Sequence, residues 1–226
     1  TTTADKLTED TSAGVHDAIQ SFTKAASATQ YTVTCYLKAG ERTYGRVGID
    51  AGSSADQAFA VFNLSAGTIQ TAATVAGTFT SGSATISALG NGWYRCSVTG
   101  TTGTETTVRV RIMLANASAN ISYTGDGTSG LYLWGAQLEA ASFPSSYIPT
   151  TTASATRAAD SLSITGVTGL EYPLSLFAEF ERAVDTSTYE NWLGVNSGSA
   201  NDQAITYTNT ADKFVASMRS GSVEQG

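Results

Sequence analysis

The chain has 226 residues, of which 41% are hydrophobic and only 14% charged, and its formal net charge is −7. This acidic balance excludes a general nucleic-acid binder, because such a protein needs a basic surface to displace counterions from phosphates. We also expect no membrane insertion, since no run of the sequence approaches the roughly 18 apolar residues that a spanning helix needs.

Alternating apolar and polar residues predict a series of half-buried β-strands in the first part of the chain. In chain order these strands span residues 31–39, 43–51, 58–64, 83–89, 93–99, 107–114 and 131–138. Residues 15–26 fit a helix and an irregular strand about equally well, and the sequence leaves that choice open. The glycines of Gly90-Asn91-Gly92 accept a positive φ, so this triplet predicts a tight hairpin between two of the strands.

Within each predicted strand one parity is apolar and is expected to face the core. Residues 131–138 are apolar on both parities, which is typical of a strand that is covered on both faces or packed against a neighbouring chain. Cys35 and Cys96 both fall within predicted strands, and two buried free thiols are favoured over a cross-strand disulfide. The many short strands and glycine turns together indicate an all-β sandwich or jelly roll.

The opposite parity carries five of the twelve basic residues together with several aromatic ones. This outward set consists of Tyr36, Lys38, Tyr44, Arg46, Trp93, Arg95, Arg109 and Arg111. Aromatic rings stack on the C–H faces of sugars, and arginine donates forked hydrogen bonds to hydroxyls, carboxylates and phosphates. The set therefore predicts a patch for an anionic glycan, with Tyr44, Arg46, Trp93, Arg95, Arg109 and Arg111 as its candidate ligand-binding residues. The alternative is that these residues occupy the solvent faces of two different sheets, where they keep the surface soluble or contact another subunit.

The sequence offers little for catalysis. His16 is the single histidine, so no histidine pair can hold a metal, and no nucleophile elbow, zinc-protease motif or phosphate-binding loop occurs. Glu179 and Glu181 share a strand face at a spacing of about 6–7 Å that would suit a glycosidase, but an exposed strand edge explains them more simply. We therefore expect a protein that is not an enzyme.

Three ordered segments resemble a module of bacteriophage tail-fibre, tail-spike and head-fibre proteins. They are residues 91–96 (NGWYRC), residues 123–150 (YTGDGTSGLYLWGAQLEAASFPSSYIPT) and residues 156–160 (TRAAD). The resemblance covers residues 1–160 and implies a jelly-roll sandwich like those of carbohydrate-binding modules, in a homotrimer on the exterior of the virion. It also implies contact with other virion proteins and adhesion to a bacterial surface polysaccharide. Modules of this shape often carry a structural calcium ion, for which Asp126 and Glu139 are the candidate ligands.

Composition changes at residues 150–160, a Thr/Ala/Ser tract that indicates a linker or extended strap. It separates a first domain, residues 1–149, from a second one, residues 161–226. The second part has alternating strands at 174–181, 192–195, 204–208 and 214–218, and it is similar to the opening hairpins of a concanavalin-A-like (laminin-G-like) domain. Because the chain ends within this pattern, we expect a piece of a longer polypeptide.

These observations lead to one favoured function and two alternatives. The favoured function is a non-enzymatic virion fibre or spike module that binds a bacterial surface polysaccharide or presents the domain that binds it. The first alternative is a capsid or tail decoration protein that binds no sugar. The second is a fragment of a polysaccharide depolymerase.

Overall fold

The computed structural model describes residues 3–52, 55–150 and 153–156, and the backbone of residues 190–196, 203–208, 214–220 and 223–225. The chain divides into two units, Thr1–Arg157 and Ala158–Gly226. Every regular element within these described ranges is a β-strand, as the alternating sequence predicts. Accordingly, none of the described residues belongs to a helix that could cross a lipid bilayer.

The strands of the first unit confirm the alternation of the sequence. In chain order they are β1 (Asp5–Thr8), β2 (Ala13–Val15), β3 (Asp17–Thr23), β4 (Gln30–Ala39), β5 (Tyr44–Asp50), β6 (Gln57–Asn63), β7 (Thr68–Ala76), β8 (Thr80–Gly90), β9 (Trp93–Thr101), β10 (Thr107–Ala115), β11 (Ser122–Thr124) and β12 (Gly130–Glu139). Each strand predicted between residues 31 and 138 has its counterpart here. The undecided segment, residues 15–26, contains strand β3 (Asp17–Thr23) and no helix.

Two five-stranded antiparallel sheets enclose the core. The first sheet has the order β1-β12-β4-β9-β8 and the second the order β3-β10-β5-β6-β7, and β2 pairs separately with β11. Strand β8 is an edge strand of the first sheet, and β7 is an edge strand of the second. The other eight strands follow the order of a jelly roll, in which the first strand and the last lie side by side. The first unit is therefore an all-β jelly-roll sandwich, as predicted.

One parity of each central strand builds the core between the sheets. Val33 and Leu37 of β4 are fully buried, and Val47 and Ile49 of β5 are buried against them from the second sheet. Burying an aliphatic side chain of this size stabilises the fold by about 1.5–3 kcal/mol. This contribution determines which parity of each strand turns inward.

The two cysteines belong to the same core. Cys35 and Cys96 are direct partners in the register of β4 and β9, and both are unbonded thiols with no exposed surface. Burial raises the pKa of both thiols. They therefore stay protonated and pack as small apolar side chains.

The predicted hairpin at Gly90-Asn91-Gly92 is confirmed. Gly90 pairs with Trp93 at the end of the β8–β9 ladder, and Asn91 and Gly92 form the turn with φ values of 51° and 77°. Two successive residues with positive φ match the right-handed twist of the flanking strands, which is why Asn-Gly suits this position. The hairpin brings Trp93 to the first position of β9.

A β-bulge in β12 explains why its sequence is apolar on both parities. Leu131 and Leu133 pack with the core, but the register with β4 shifts after Trp134. Leu138 then packs with the core from the opposite parity. Gly135 has a φ of 58° within the bulge, a conformation that glycine adopts without the strain that a Cβ introduces. The double apolar pattern thus reflects a change of parity inside the strand.

The second unit contains one antiparallel sheet in its described ranges. Its strands are β13 (Glu190–Asn196), β14 (Gln203–Thr208), β15 (Phe214–Ser220) and β16 (Val223–Gln225), paired in chain order. The strands predicted at residues 192–195, 204–208 and 214–218 are confirmed. The strand predicted at residues 174–181, with Glu179 and Glu181, lies outside the described residues.

Candidate functional site

The predicted recognition residues are divided between the outer faces of the two sheets. The first sheet carries Tyr36, Lys38, Trp93 and Arg95 on β4 and β9. The second carries Tyr44, Arg46, Arg109 and Arg111 on β5 and β10. Because the core separates these two faces, the eight residues do not form the single patch that the anionic-glycan hypothesis expects.

Carboxylates of the second sheet neutralise two of its arginines. Arg109 donates from Nε to Oδ1 of Asp50 at 2.6 Å, and Nη2 of Arg111 lies 2.5 Å from Oδ2 of Asp17. Arg111 also places Nη1 3.5 Å from Oδ2 of Asp50, whose side chain is almost fully buried. The register explains the first pair, since Arg109 and Asp50 are direct partners on β10 and β5. An anionic ligand would therefore have to compete with these carboxylates for the two arginines.

Arg46 is also closed into the second sheet. It is only 7% exposed, its guanidinium carbon lies 3.5 Å from the centroid of the Phe59 ring, and Nη2 donates to Oε1 of Gln57. Its Nε has no hydrogen-bond partner. Burial, and secondarily the charge of Arg111, lowers the pKa of Arg46 to about 10. Tyr44 accepts a hydrogen bond from Nδ2 of Asn63 at 3.3 Å, so each of the four candidate residues on this face has a partner within the sheet.

The first sheet presents two parallel rows of outward residues across β12, β4 and β9. One row consists of Trp134, Tyr36 and Arg95, which are register partners on the three strands. The next row, here called the open row, consists of Tyr132, Lys38 and Trp93, which are also register partners on these three strands. Tyr132 and Trp134 do not belong to the set of candidate ligand-binding residues, because their strand is apolar on both parities and the sequence therefore favours a packing role for them.

The chain that leaves β12 covers the first of these rows. Residues 140–149, here called the exit segment, fold back so that the Tyr147 ring lies 4.6 Å from that of Trp134 and 6.4 Å from that of Tyr36. Arg95 donates from Nη2 to the carbonyl oxygen of Ser145, and its guanidinium lies 5.9 Å from the Tyr36 ring. This row is therefore committed to packing within the first unit.

The open row keeps its side chains available to solvent. Tyr132 is 38% exposed, and Lys38 and Trp93 are partly exposed. Among the residues that the structure describes, Lys38 is the one cationic side chain without a hydrogen bond or ion pair to another residue. Adjacent strands are about 4.8 Å apart, so the two aromatic residues stand roughly 10 Å from each other, with Lys38 on the strand between them. Such a surface can stack on two sugar rings and attract an anionic substituent.

The two predicted calcium ligands lie at opposite ends of β12. Oδ1 of Asp126 accepts hydrogen bonds from the backbone amides of Thr128 and Ser129, each at 2.7 Å, which is an Asx turn that closes its own loop. The Ser129 hydroxyl, which donates to Oδ2 at 2.5 Å, and then these two amides hold the pKa of Asp126 well below its usual value. Glu139 accepts a hydrogen bond from the amide of Ser145 at 3.0 Å. The described residues contain no cluster of three metal-ligating side chains, and these two carboxylates cannot share an ion.

A buried polar network that the sequence analysis misses lies beside the Asp126 loop. Glu9 is 2% exposed and accepts hydrogen bonds from Nε of Arg42 at 2.7 Å, from the hydroxyl of Tyr123 at 2.7 Å and from the amide of Asp126 at 2.9 Å. The bonds from Arg42 are the largest cause that lowers the pKa of Glu9 to about 2. His16 joins the network, because Nε2 lies 3.3 Å from the carbonyl oxygen of Tyr123. Its members are far apart in sequence, so no local motif signals it.

A groove of about 970 Å³ opens between β3 and the end of β12. Phe22, Tyr31, Leu138 and Ile148 provide its apolar lining, and residues 153–156 of the predicted linker run along it. Among the described residues that line it, Glu139 is the one acidic residue, and its carboxylate is bonded to Ser145.

Comparison with known proteins assigns no family. No family model matches the chain, and no curated protein matches it. What the first unit can bind is therefore inferred from the geometry and chemistry of its own surface.

Proposed function

We propose that the first unit is a non-enzymatic glycan-binding module and that the open row is its contact surface. The supporting observation is the order of the row across three neighbouring strands: Tyr132, Lys38 and Trp93 are register partners. Two rings flank a cation that has no partner of its own within the described residues. A side chain that is unpaired in the free protein loses no internal bond when a ligand arrives.

The chemistry of the row suits a polysaccharide with acidic substituents. Each ring offers a flat apolar surface to the C–H face of a sugar, and the spacing of about 10 Å leaves room for the unit between the two stacked sugars. The ammonium group of Lys38 can donate to a carboxylate, sulfate or phosphate on that middle unit. Because the chain as a whole has a charge of −7, this attraction is local and competes with a general repulsion.

The biological setting that we propose rests on the resemblance of residues 91–96, 123–150 and 156–160 to phage fibre and spike modules. In that setting the protein is on the exterior of a virion, in a homotrimer and in contact with other virion proteins. The glycan is then a bacterial surface polysaccharide. The jelly-roll strand order supports this proposal, because the same architecture is common among viral capsid proteins and lectins.

Glycan binding tests the proposal directly. We expect the wild-type chain to bind acidic oligosaccharides on an array, and Trp93→Ala or Tyr132→Ala to weaken that binding about tenfold, or about 1.4 kcal/mol. Lys38→Gln should weaken binding to acidic glycans alone, with a larger effect at low salt because charge attraction is then less screened. Tyr44→Ala is the matched control, since it removes an aromatic ring from the outer face of the other sheet.

Three outcomes count against the proposal. The first is a wild-type chain that binds no glycan on the array or on bacterial envelopes. The second is a Tyr44→Ala variant that loses as much binding as Trp93→Ala. The third is the appearance of new reducing ends when the protein is incubated with capsular polysaccharide, which would indicate a depolymerase instead.

The second candidate function is a decoration protein that binds no sugar. The observation in its favour is the internal engagement of most recognition residues. Arg109 and Arg111 are paired with carboxylates, and Arg95 is bonded to the exit segment. Under this alternative the open row contacts another virion protein. The wild type and the three variants of the row then all give only the background glycan signal.

A further inference from the structure

Two of the four edge strands of the sandwich carry charges that discourage pairing with another chain. Strand β1 has only four residues and includes Asp5 and Lys6, the latter 2.7 Å from Glu41. Strand β3 carries Asp17, which is paired with Arg111. Short strands and charged side chains are the usual protection of an exposed sheet edge.

The other two edge strands, β7 and β8, carry no charged side chains of this kind. Strands β7 and β8 and their connecting turn, residues 68–90, contain no Asp, Glu, Lys, Arg or Pro, although 14% of the chain is charged. β8 has eleven residues, most of them exposed. Apolar side chains also remain in solvent here, with Ile69 and Val75 each 37% exposed and Leu89 55% exposed.

These two edges form one continuous surface. A Cβ placed on Gly82 of β8 would lie 2.9 Å from Cγ1 of Val75 on β7 and 3.6 Å from Cβ of Ala73, so the strands pack side by side although they belong to different sheets. Strand β8 pairs with β9 without interruption from Gly82 to Ala88, and its register shifts lie only towards its two ends. Among the described residues, no strand of its sheet neighbours the outer side of this regular stretch, which therefore presents backbone N–H and C=O groups.

Electrostatics favours a second copy of this chain as the partner. Two copies of a protein with a charge of −7 repel each other wherever their acidic surfaces meet. Residues 68–90 carry no charged side chain of their own, so copies that approach through this edge do not bring acidic side chains of β7 and β8 together. Contact there would also cover Val75 and Leu89 and satisfy the free backbone groups of β8.

We propose that copies of this chain associate through the β7–β8 edge, with β8 as the strand that pairs between copies. This contact is independent of the open row and of glycan binding, and as a two-fold pairing of β8 with β8 it is also distinct from the three-fold contact of the proposed homotrimer. It would extend the first sheet from one copy into the next by backbone hydrogen bonds, with the apolar side chains of β7 and Leu89 packed beside the new pair.

A charged edge variant tests the contact. In analytical ultracentrifugation we expect the wild-type full chain to form oligomers in the micromolar range, and Ser83→Lys/Leu89→Lys to raise the dissociation constant at least tenfold. The control is Ala117→Lys/Asn120→Lys in an exposed loop. Both variants change the net charge from −7 to −5. This change reduces the general repulsion between copies, so the control should associate as well as the wild type or better.

Hydrogen exchange on the wild-type chain supplies a second readout that needs no variant. Amides within residues 82–88 should exchange more slowly at high than at low protein concentration, whereas those of β1 should not change. A wild-type chain that stays monomeric throughout the micromolar range would overturn the proposal. Oligomers that persist unchanged in Ser83→Lys/Leu89→Lys, with no concentration-dependent protection of β8, would overturn it as well.

Discussion

Glu9 shows how much a single buried carboxylate depends on its partners. Three donors from distant parts of the chain, Arg42, Tyr123 and the Asp126 amide, compensate for the water that this side chain loses on folding. The same bonds also affect Arg42, because the hydrogen bonds to Glu9 raise the pKa of its guanidinium. The pair is worth more as an intact unit than either member is alone.

Glu9→Gln should therefore destabilise the first unit by about 3 kcal/mol, because it removes the closest counterion of Arg42 and leaves, among the described residues, only the Asp126 carboxylate, 3.8 Å from Nη2. Urea unfolding measures the loss. Glu41→Gln is the matched control, since it removes one carboxylate from an exposed pair with Lys6 and should change the stability by less than about 1 kcal/mol. Equal losses in the two variants would contradict the role given to the network.

Strand β12 is the element that organises the candidate surface. Its bulge at Gly135 lets Leu131 and Leu138 reach the same core from opposite parities, and it is followed by the exit segment that covers Trp134. Without the bulge, every residue after Trp134 would turn to the other face of the sheet. One element thus determines which row of the first sheet is covered and which stays open.

Gly135→Ala should destabilise the first unit by about 1–2 kcal/mol, because an alanine resists a φ of 58° and its Cβ would lie 3.0 Å from the Tyr36 ring. Thermal or urea unfolding gives the value. Gly14→Ala provides the comparison, since no atom lies within 4 Å of the added Cβ and φ is not positive there. If both substitutions proved equally mild, the bulge would not depend on glycine.

The first unit as a whole should lose stability in acid. The pKa of Glu9 is lowered from about 4.5 to about 2, and those of Asp10, Glu41 and Asp126 are lowered as well. A carboxyl with a lowered pKa contributes its full stabilisation above the pKa of the unfolded chain. That contribution is lost as the pH falls through the value of the folded state.

We therefore expect the free energy of unfolding of the wild type to fall between pH 4.5 and pH 2. Glu9→Gln should be less stable at neutral pH but should fall less over this interval, so the two curves approach each other towards pH 2. Urea unfolding at a series of pH values tests this expectation. Curves that run parallel over the whole interval would show that Glu9 does not contribute to the linkage.

Sequence alternation was sufficient for the seven strands predicted between residues 31 and 138 and for the parity that enters the core, as the burial of Val33 and Val47 shows. It did not predict β1, β2, β7 or β11. It could not assign Arg46 and Arg95 to different sheets, because period-two patterns give the face of a strand and not its neighbours. Nor could it show that the exit segment returns over Tyr36, or that Glu9 meets Arg42 and Tyr123. Contacts of that kind depend on chain topology, which no local pattern encodes.

The pairing of β1 with β12 has a consequence for how this protein is made. Asp5 lies opposite Leu133, so the neighbour of the first strand is synthesised only when nearly all of the jelly roll has left the ribosome. Until then the early strands have no finished sheet to join. Pairing β1 with β12 closes a long loop, and the chain entropy lost in closing it opposes folding until the contacts between the strands have formed. We therefore expect folding to be slow and largely post-translational, with the uncharged β8 strand exposed to other nascent chains in the meantime.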